Sequence, residues 1–206
     1  MFYKIAHAVI WFVYRLVYRF RVTGRENVPQ GGAVVCGNHT SLADPVLVAL
    51  ALRTPDRPYF MAKAELFKIP VFKSLIKFLG AFPVRRGEAD LASIKHSLRL
   101  LKDGKKLLVF PWGKRVRDGD SAEIKNGAAM LANRSGSPLL PVYISHGRKL
   151  FVNKIDVRIG RPVDSRLPEG MGKQEFYSEL ADGIMADIQA LGDEVAEMRR
   201  KKRTKP

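Results

Sequence analysis

The sequence predicts an α/β fold: a mixed, largely parallel sheet flanked by helices, with an N-terminal amphipathic membrane-interface helix. Three observations carry this. Short apolar runs bounded by glycine, proline or polar residues recur along the chain. Longer stretches with apolar residues three and four apart separate them, the alternation expected of strands joined by helices. Unusual polar content is concentrated just after three of the short runs, at residues 38–44, 85–88 and 112–120. Functional groups in such sheets gather in loops beyond the strand ends.

Taken in order, residues 2–20 (FYKIAHAVIWFVYRLVYRF) form the amphipathic segment. On a helix, Ile5, Val9, Phe12, Val13, Leu16, Val17 and Phe20 share one broad face bordered by basic groups and tyrosines, the pattern of a helix lying in a membrane interface. A helix folded back on the core has the same pattern. Lys4, Arg15 and Arg19 interrupt the apolar run, which falls short of the ~20 residues that span a bilayer. No small-residue cleavage site follows, so the segment does not read as a removable signal. Residues 33–36 read as a strand. Residues 45–52 read as a helix that Asp44 caps and Pro45 begins. A strand is expected at 59–62, a helix at 71–79 ended by Gly80, and a strand at 81–84. A helix follows over 88–102, with Leu91, Ile94, Leu98 and Leu101 on one side and Asp103-Gly104 stopping it. The remaining expectations are a strand at 107–110, a helix at 123–134, strands at 139–145 and 150–159, and a helix from 173 to about 200. This divides the chain into a membrane-associating segment (1–21), one domain (22–198) and a basic tail (199–206).

Hydrophobic residues make up 46% of the 206, which suits one globular core and excludes a disordered chain. Lysine and arginine number 36 against 20 acidic residues, a net charge of +16 that favours a polyanionic partner such as an anionic membrane, nucleic acid or phosphorylated substrates. The cations are scattered or confined to the C-terminus, without a nucleic-acid-binding motif. One cysteine, Cys36, excludes an internal disulfide framework and any multi-cysteine metal site. It reads as a small buried hydrophobe, a nucleophile paired with His39 being the alternative. There is no G-x-S-x-G elbow, Walker loop or dinucleotide-binding glycine pattern.

The segment GNHTSLADP (37–45) sets an imidazole at the end of an apolar strand and a carboxylate five residues later. Histidine titrates near neutrality and can take a proton from a hydroxyl, while a carboxylate behind it fixes its tautomer. With no separate covalent nucleophile, direct attack by a bound alcohol is the economical chemistry. Taken alone, a His-x4-Asp spacing also arises for structural reasons. Asn38 is expected to order the loop backbone. Arg85 and Arg86 beside Gly87 present two guanidiniums to a phosphate, or simply a solvated charge pair. In FPWGKRVRDG (110–119), Gly113, Lys114, Arg115 and Arg117 combine flexible backbone with cations, and Lys105 and Lys106 precede them; the motif reads as a phosphate loop or a basic surface turn. His7, His96 and His146 lack a carboxylate nearby in sequence and read as structural.

Together, four blocks in order over residues 22–144 resemble the glycerolipid acyltransferase family typified by 1-acylglycerol-3-phosphate acyltransferase. They are NHTSLAD, then MAKAELFKIPVFKSLIKFLGAFPVRRG, then FPWGKRVRDG, then PLLPVYI preceded by KNGAAMLA. The resemblance implies acyl transfer from acyl-CoA or acyl-carrier protein, as co-substrate, to lysophosphatidic acid, with no metal or other cofactor. It implies His39 as general base, Asp44 as its orienting partner, and Arg85 with Arg115 on the acceptor phosphate in one cleft. Arg86, Gly113, Lys114 and Lys105 are the supporting candidates. Backbone amides near residues 37–40 or at Gly113 are candidates for the oxyanion. The implied location is the cytoplasmic face of a membrane, peripheral or monotopic, with an anionic surface as partner and no nucleic acid. The third block departs from the family's F-P-E-G-T-R-S-R-D-G: Trp112 replaces glutamate, Lys114 threonine and Val116 serine. Losing a carboxylate removes two strong acceptors. A different lysolipid acceptor, or a catalytically impaired membrane-binding relative, is therefore the alternative.

Overall fold

The computed structural model describes residues 12, 19–54, 57–85, 90–116, 122–145 and 154–203. Seven strands form one sheet: β1 (Arg19–Thr23), β2 (Ala33–Gly37), β3 (Tyr59–Lys63), β4 (Ala81–Val84), β5 (Lys106–Val109), β6 (Leu139–Ser145) and β7 (Lys154–Ile159). Their spatial order is β1-β7-β6-β2-β5-β3-β4. The sole antiparallel pairing among them is β6 with β7, so five strands run one way and β1 and β7 the other. The helices are α1 (Asp44–Leu52), α2 (Pro70–Phe78), α3 (Leu91–Lys102), α4 (Gly127–Ser135) and α5 (Lys173–Arg203).

The central strands read as continuously apolar because both faces are covered, yet their alternation divides the core in two. Val35, Leu108 and Leu140 pack on the face that carries α1, with Leu47, Val48 and Ala51. Val34, Cys36, Leu107 and Leu139 pack on the other, with Leu100 and Leu101 of α3, Leu131 of α4 and Ile184 and Ile188 of α5. Cys36 is fully buried, and desolvation pushes its thiol well above the usual range, as expected of a small hydrophobe rather than a nucleophile. Gly80 ends α2 with φ +100°, and a Cβ there would lie 2.4 Å from the Pro58 carbonyl oxygen, so the turn into β4 requires glycine.

Several expectations shift. Arg19 to Thr23 form an edge strand paired with β7, from Arg19↔Lys154 to Thr23↔Arg158. Pairing with a segment some 130 residues away overrides the helical spacing around Phe20, and the strand crosses the boundary drawn at residue 21. Phe12 is helical and exposed; the rest of the amphipathic segment ahead of Arg19 lies outside the described residues. The buried stripe of α3 is Ser93, Ser97, Leu100 and Leu101, while Leu91 faces solvent. The two serines fit there because their hydroxyls bond to the carbonyls of Pro83 and Ser93. Helix α4 starts at Gly127 rather than 123, because the Lys125 amide donates to the Pro111 carbonyl and holds that stretch as a loop. Helix α5 continues into the stretch read as a tail: Arg199 bonds to the Asp156 carboxylate and the Lys154 carbonyl of β7. No described helix is long and apolar enough to cross a membrane.

Candidate active site

Strands β2, β3, β4, β5 and β6 are parallel, so the segments that follow them emerge at one end of the sheet. His39 lies two residues beyond β2, and Phe110 follows β5, the strand hydrogen-bonded to β2. Asn38, buried at the base of this loop, donates through Nδ2 to the Ile144 carbonyl (2.9 Å) and accepts the Ile144 amide on Oδ1 (2.7 Å). The loop therefore leaves the sheet from a fixed point, as its role of ordering the backbone requires.

His39 Nδ1 lies 2.8 Å from Asp44 Oδ2, and that oxygen also accepts the amides of Thr40 and Ser41, each at 2.8 Å. The expected capping role of Asp44 does not hold. It is the first residue of α1, preceded by Ala43, and its carboxylate turns back onto the loop that precedes the helix. Two amides already point at Oδ2, so this oxygen is the acceptor for His39 as well. Nδ1 is therefore the donor in this contact, and Nε2 is the nitrogen left to exchange a proton. Asp44 is fully buried, and its partner ring keeps 13% of its side-chain surface open. The ring is stacked on Phe110, with centroids 3.9 Å apart and planes 12° apart, so its orientation is fixed from two sides. The Val116 amide donates to the His39 carbonyl (2.8 Å), tying the third loop to the first.

Two cavities meet at this ring, sharing His39, Met61, Phe110 and Lys114. The first, of about 840 Å³, is mostly apolar, lined by Leu42, Phe60, Phe72, Leu75 and Ile76 among others, with Lys63 and Arg115 at its polar positions. The second, of about 650 Å³, is lined by Arg85, Trp112, Gly113, Glu123 and Lys125 together with Ile94, Met130 and Leu131. An imidazole held through Nδ1 where two cavities meet, each with apolar walls and three cationic side chains, can take a proton on Nε2 from an alcohol held beside it.

The candidate residues do not all converge. Arg85 and Arg115 line different cavities, whereas one shared cleft was expected. Arg85 follows β4, two strands from β5, at the far edge of the sheet, so its reach is into the second cavity only. Lys105 precedes β5 while the site follows it, about 16 Å away along the strand, so it is no part of the site. Its neighbour Lys106 is buried, with Nζ donating to the carbonyls of Pro29 (2.6 Å) and Gly31, and burial lowers its pKa. Arg86 and Arg117 lie outside the described residues. The Gly113 amide donates to the Phe110 carbonyl (2.8 Å) and the Thr40 amide to Asp44, so neither of these oxyanion candidates is turned toward a substrate. His96 packs edge-on against Phe82, a structural role as expected. The residues that sequence reasoning missed are Phe110 and Lys125. The sequence places Phe110 at the end of a strand and the start of the third block, and nothing local ties it to His39; the strand ends one residue earlier, at Val109.

Residues 19–145 match the family model described as Acyltransferase. The chain is 28% identical over 183 residues to the 1-acyl-sn-glycerol-3-phosphate acyltransferase of Bacillus subtilis (strain 168), covering 86% of this chain and 90% of that protein. It is 29% identical over 178 residues to the 1-acyl-sn-glycerol-3-phosphate acyltransferase of Streptococcus pneumoniae, covering 84% of this chain and 65% of that one. Among solved structures, the 1-acyl-sn-glycerophosphate (LPA) acyltransferase PlsC from Thermotoga maritima superposes with a TM-score of 0.66 at 28% identity, covering 92% of this chain and 81% of its own. With the family model matching more than half of its length, and its His39–Asp44 loop set at the end of a mostly parallel sheet, this chain belongs to the acyltransferase family.

Proposed function

We propose that this chain transfers a fatty acyl group from a thioester carrier, acyl-CoA or acyl-carrier protein, to the free hydroxyl of 1-acylglycerol-3-phosphate, giving phosphatidic acid. One observation carries the reading: the 2.8 Å contact of His39 Nδ1 with a buried carboxylate that two backbone amides pin in place, where two largely apolar cavities bordered by cations meet. The relatives named for this activity support the choice of acceptor.

In this reading, Nε2 of His39 takes the acceptor's hydroxyl proton as its oxygen attacks the thioester carbonyl. A C–O bond forms and a tetrahedral oxyanion appears. Collapse breaks the C–S bond, and the departing thiolate recovers the proton from the imidazolium, which Asp44 has stabilised. No covalent enzyme intermediate is needed. The apolar cavity suits an acyl chain. Arg85 and Lys114, with Lys125, suit the acceptor phosphate in the second cavity. Arg115 and Lys63 border the first cavity and are placed for a second anionic group. In this reading the enzyme works at the cytoplasmic face of a membrane, where its lipid substrates reside.

A second reading keeps the chemistry and changes the acceptor. Trp112 lines the second cavity beside Arg85, where the family's third block has glutamate, and an indole there reshapes the space around the headgroup. The test is turnover of labelled acyl-CoA, then acyl-carrier protein, against a panel of lysolipids headed by lysophosphatidic acid, with His39→Ala alongside. Phosphatidic acid that falls about 10²–10⁴-fold in the variant supports the proposal. Turnover confined to another lysolipid selects the second reading. No turnover by folded protein with any pair overturns both.

A further inference from the structure

Helix α2 is packed on one side only. Ile76 is buried and Phe72 half-buried against the core, and these two positions, four apart, define its inner face. The chain nevertheless places large apolar side chains where the core cannot use them. Val71 is 85% exposed, Ile69 54% and Leu75 52%, and Leu42, on the catalytic loop, is 67% exposed. These four belong to a set of six exposed large hydrophobics among the described residues, so the exposure is concentrated rather than scattered. Leu42 and Leu75 also line the apolar cavity that reaches His39, which makes the patch continuous with the mouth of that cavity.

The charge on this helix has one sign. Lys68, Lys73 and Lys77 are exposed on or just before the helix, and α2 contains no acidic residue. The nearest acid along the chain, Glu65, is paired with Lys63 at 3.2 Å. Val71 and Leu75, four apart, run along one flank of the helix and Lys73 and Lys77 along the other, with Lys68 just ahead of it, so an apolar flank and a cationic flank both border the outward side, as a helix lying on an anionic bilayer requires. The apolar groups enter the acyl boundary while the ammonium groups reach the headgroup phosphates.

We propose that the outer face of α2, with Leu42, is a docking surface of the folded domain for an anionic lipid bilayer, seating the mouth of the apolar cavity on the membrane. An amphiphile in the leaflet that faces the domain then enters the cavity by lateral movement, without its chain crossing water. The residues of this surface are other than those of the amphipathic segment at 2–20, and the proposal does not rest on the chemistry assigned to His39.

The test uses the full chain and vesicles of phosphatidylcholine alone or mixed with phosphatidylglycerol. In Val71→Cys, an environment-sensitive fluorophore attaches at position 71 while Cys36 stays sealed in the core. Its emission is expected to shift to the blue on mixed vesicles and to be quenched by lipids with a nitroxide on the acyl chain. Two variants, Ile69→Ser with Val71→Ser, and Lys68→Glu with Lys73→Glu and Lys77→Glu, should each weaken binding to mixed vesicles at least about tenfold. Turnover of water-dispersed short-chain substrate should stay unchanged, since none of these five residues lines either cavity. Vesicle-bound protein whose label is neither shifted nor quenched overturns the proposal. So does unchanged vesicle affinity in both variants. If the variants instead lose affinity for acyl-carrier protein, or dissociate a dimer of this chain, the surface belongs to that partner and the bilayer assignment is wrong.

Discussion

Asn38 pairs with Ile144 as though it were one more residue of the sheet: its side-chain amide donates to the Ile144 carbonyl and its carbonyl oxygen accepts the Ile144 amide. This extends the β2–β6 ladder, whose last backbone pair is Gly37↔Val142, by one rung of side-chain amide. The loop that carries His39 begins from that rung. Asn38→Ala leaves two buried backbone groups of Ile144 unpaired and should cost about 2–4 kcal/mol of stability. Urea unfolding measures it, and a loss below about 0.5 kcal/mol would show that water replaces the amide.

Asp44→Asn should be folded and nearly inactive. The amide oxygen can take the place of Oδ2 and still accept from Thr40, Ser41 and His39, since all three meet that one atom. What is lost is the negative charge that stabilises the imidazolium formed as the hydroxyl proton is taken. A fall in kcat of about 10²–10⁴-fold, with an unfolding midpoint close to wild type, is expected. Residual activity within tenfold of wild type would mean that Asp44 only shapes the loop.

Arg85→Ala and Arg115→Ala should act independently. They line different cavities, so they share no ligand atom under the proposed arrangement. If each lowers kcat/KM by about tenfold, the double variant should lose about a hundredfold. A double variant no worse than either single one would place both guanidiniums on one phosphate after all.

The start of α3 should be acid-sensitive. Asp90 accepts the Arg85 amide (3.0 Å), the Ser93 amide (3.0 Å) and the Ser93 hydroxyl (2.8 Å), and these bonds hold its pKa down to about 2. A carboxylate whose pKa is depressed on folding contributes stability above its unfolded pKa of about 4, and that contribution is lost as pH falls through about 2. Asp90→Ala should therefore lower the thermal midpoint at neutral pH, and the difference from wild type should shrink between pH 4 and pH 2. A difference that stays constant over that range would assign the effect to packing.

How much was legible follows from distance along the chain. Strands β4 and β6 fall on the predicted residues, because glycine, proline or polar residues bound their apolar runs closely. The His39–Asp44 contact was legible because five residues of loop close it, so neighbours in sequence are neighbours in space. Strand β1 was not. Its residues carry helical spacing, and only pairing with β7 makes them extended. Phe110 was not assigned to the histidine either, since nothing in the sequence says that β5 lies beside β2.

The sequence by itself determined the class of fold, the His39–Asp44 pairing and the polar loops, since these depend on local periodicity and short loop closures. Only the tertiary structure decided which cations line a cavity. Strand order sends Arg85 to the edge of the sheet and into one cavity, and puts Arg115 on the other. Strand direction leaves Lys105 at the opposite end from the site. A basic side chain reads the same in sequence wherever it lies, and only the order and sense of the strands bring it to a ligand or carry it away.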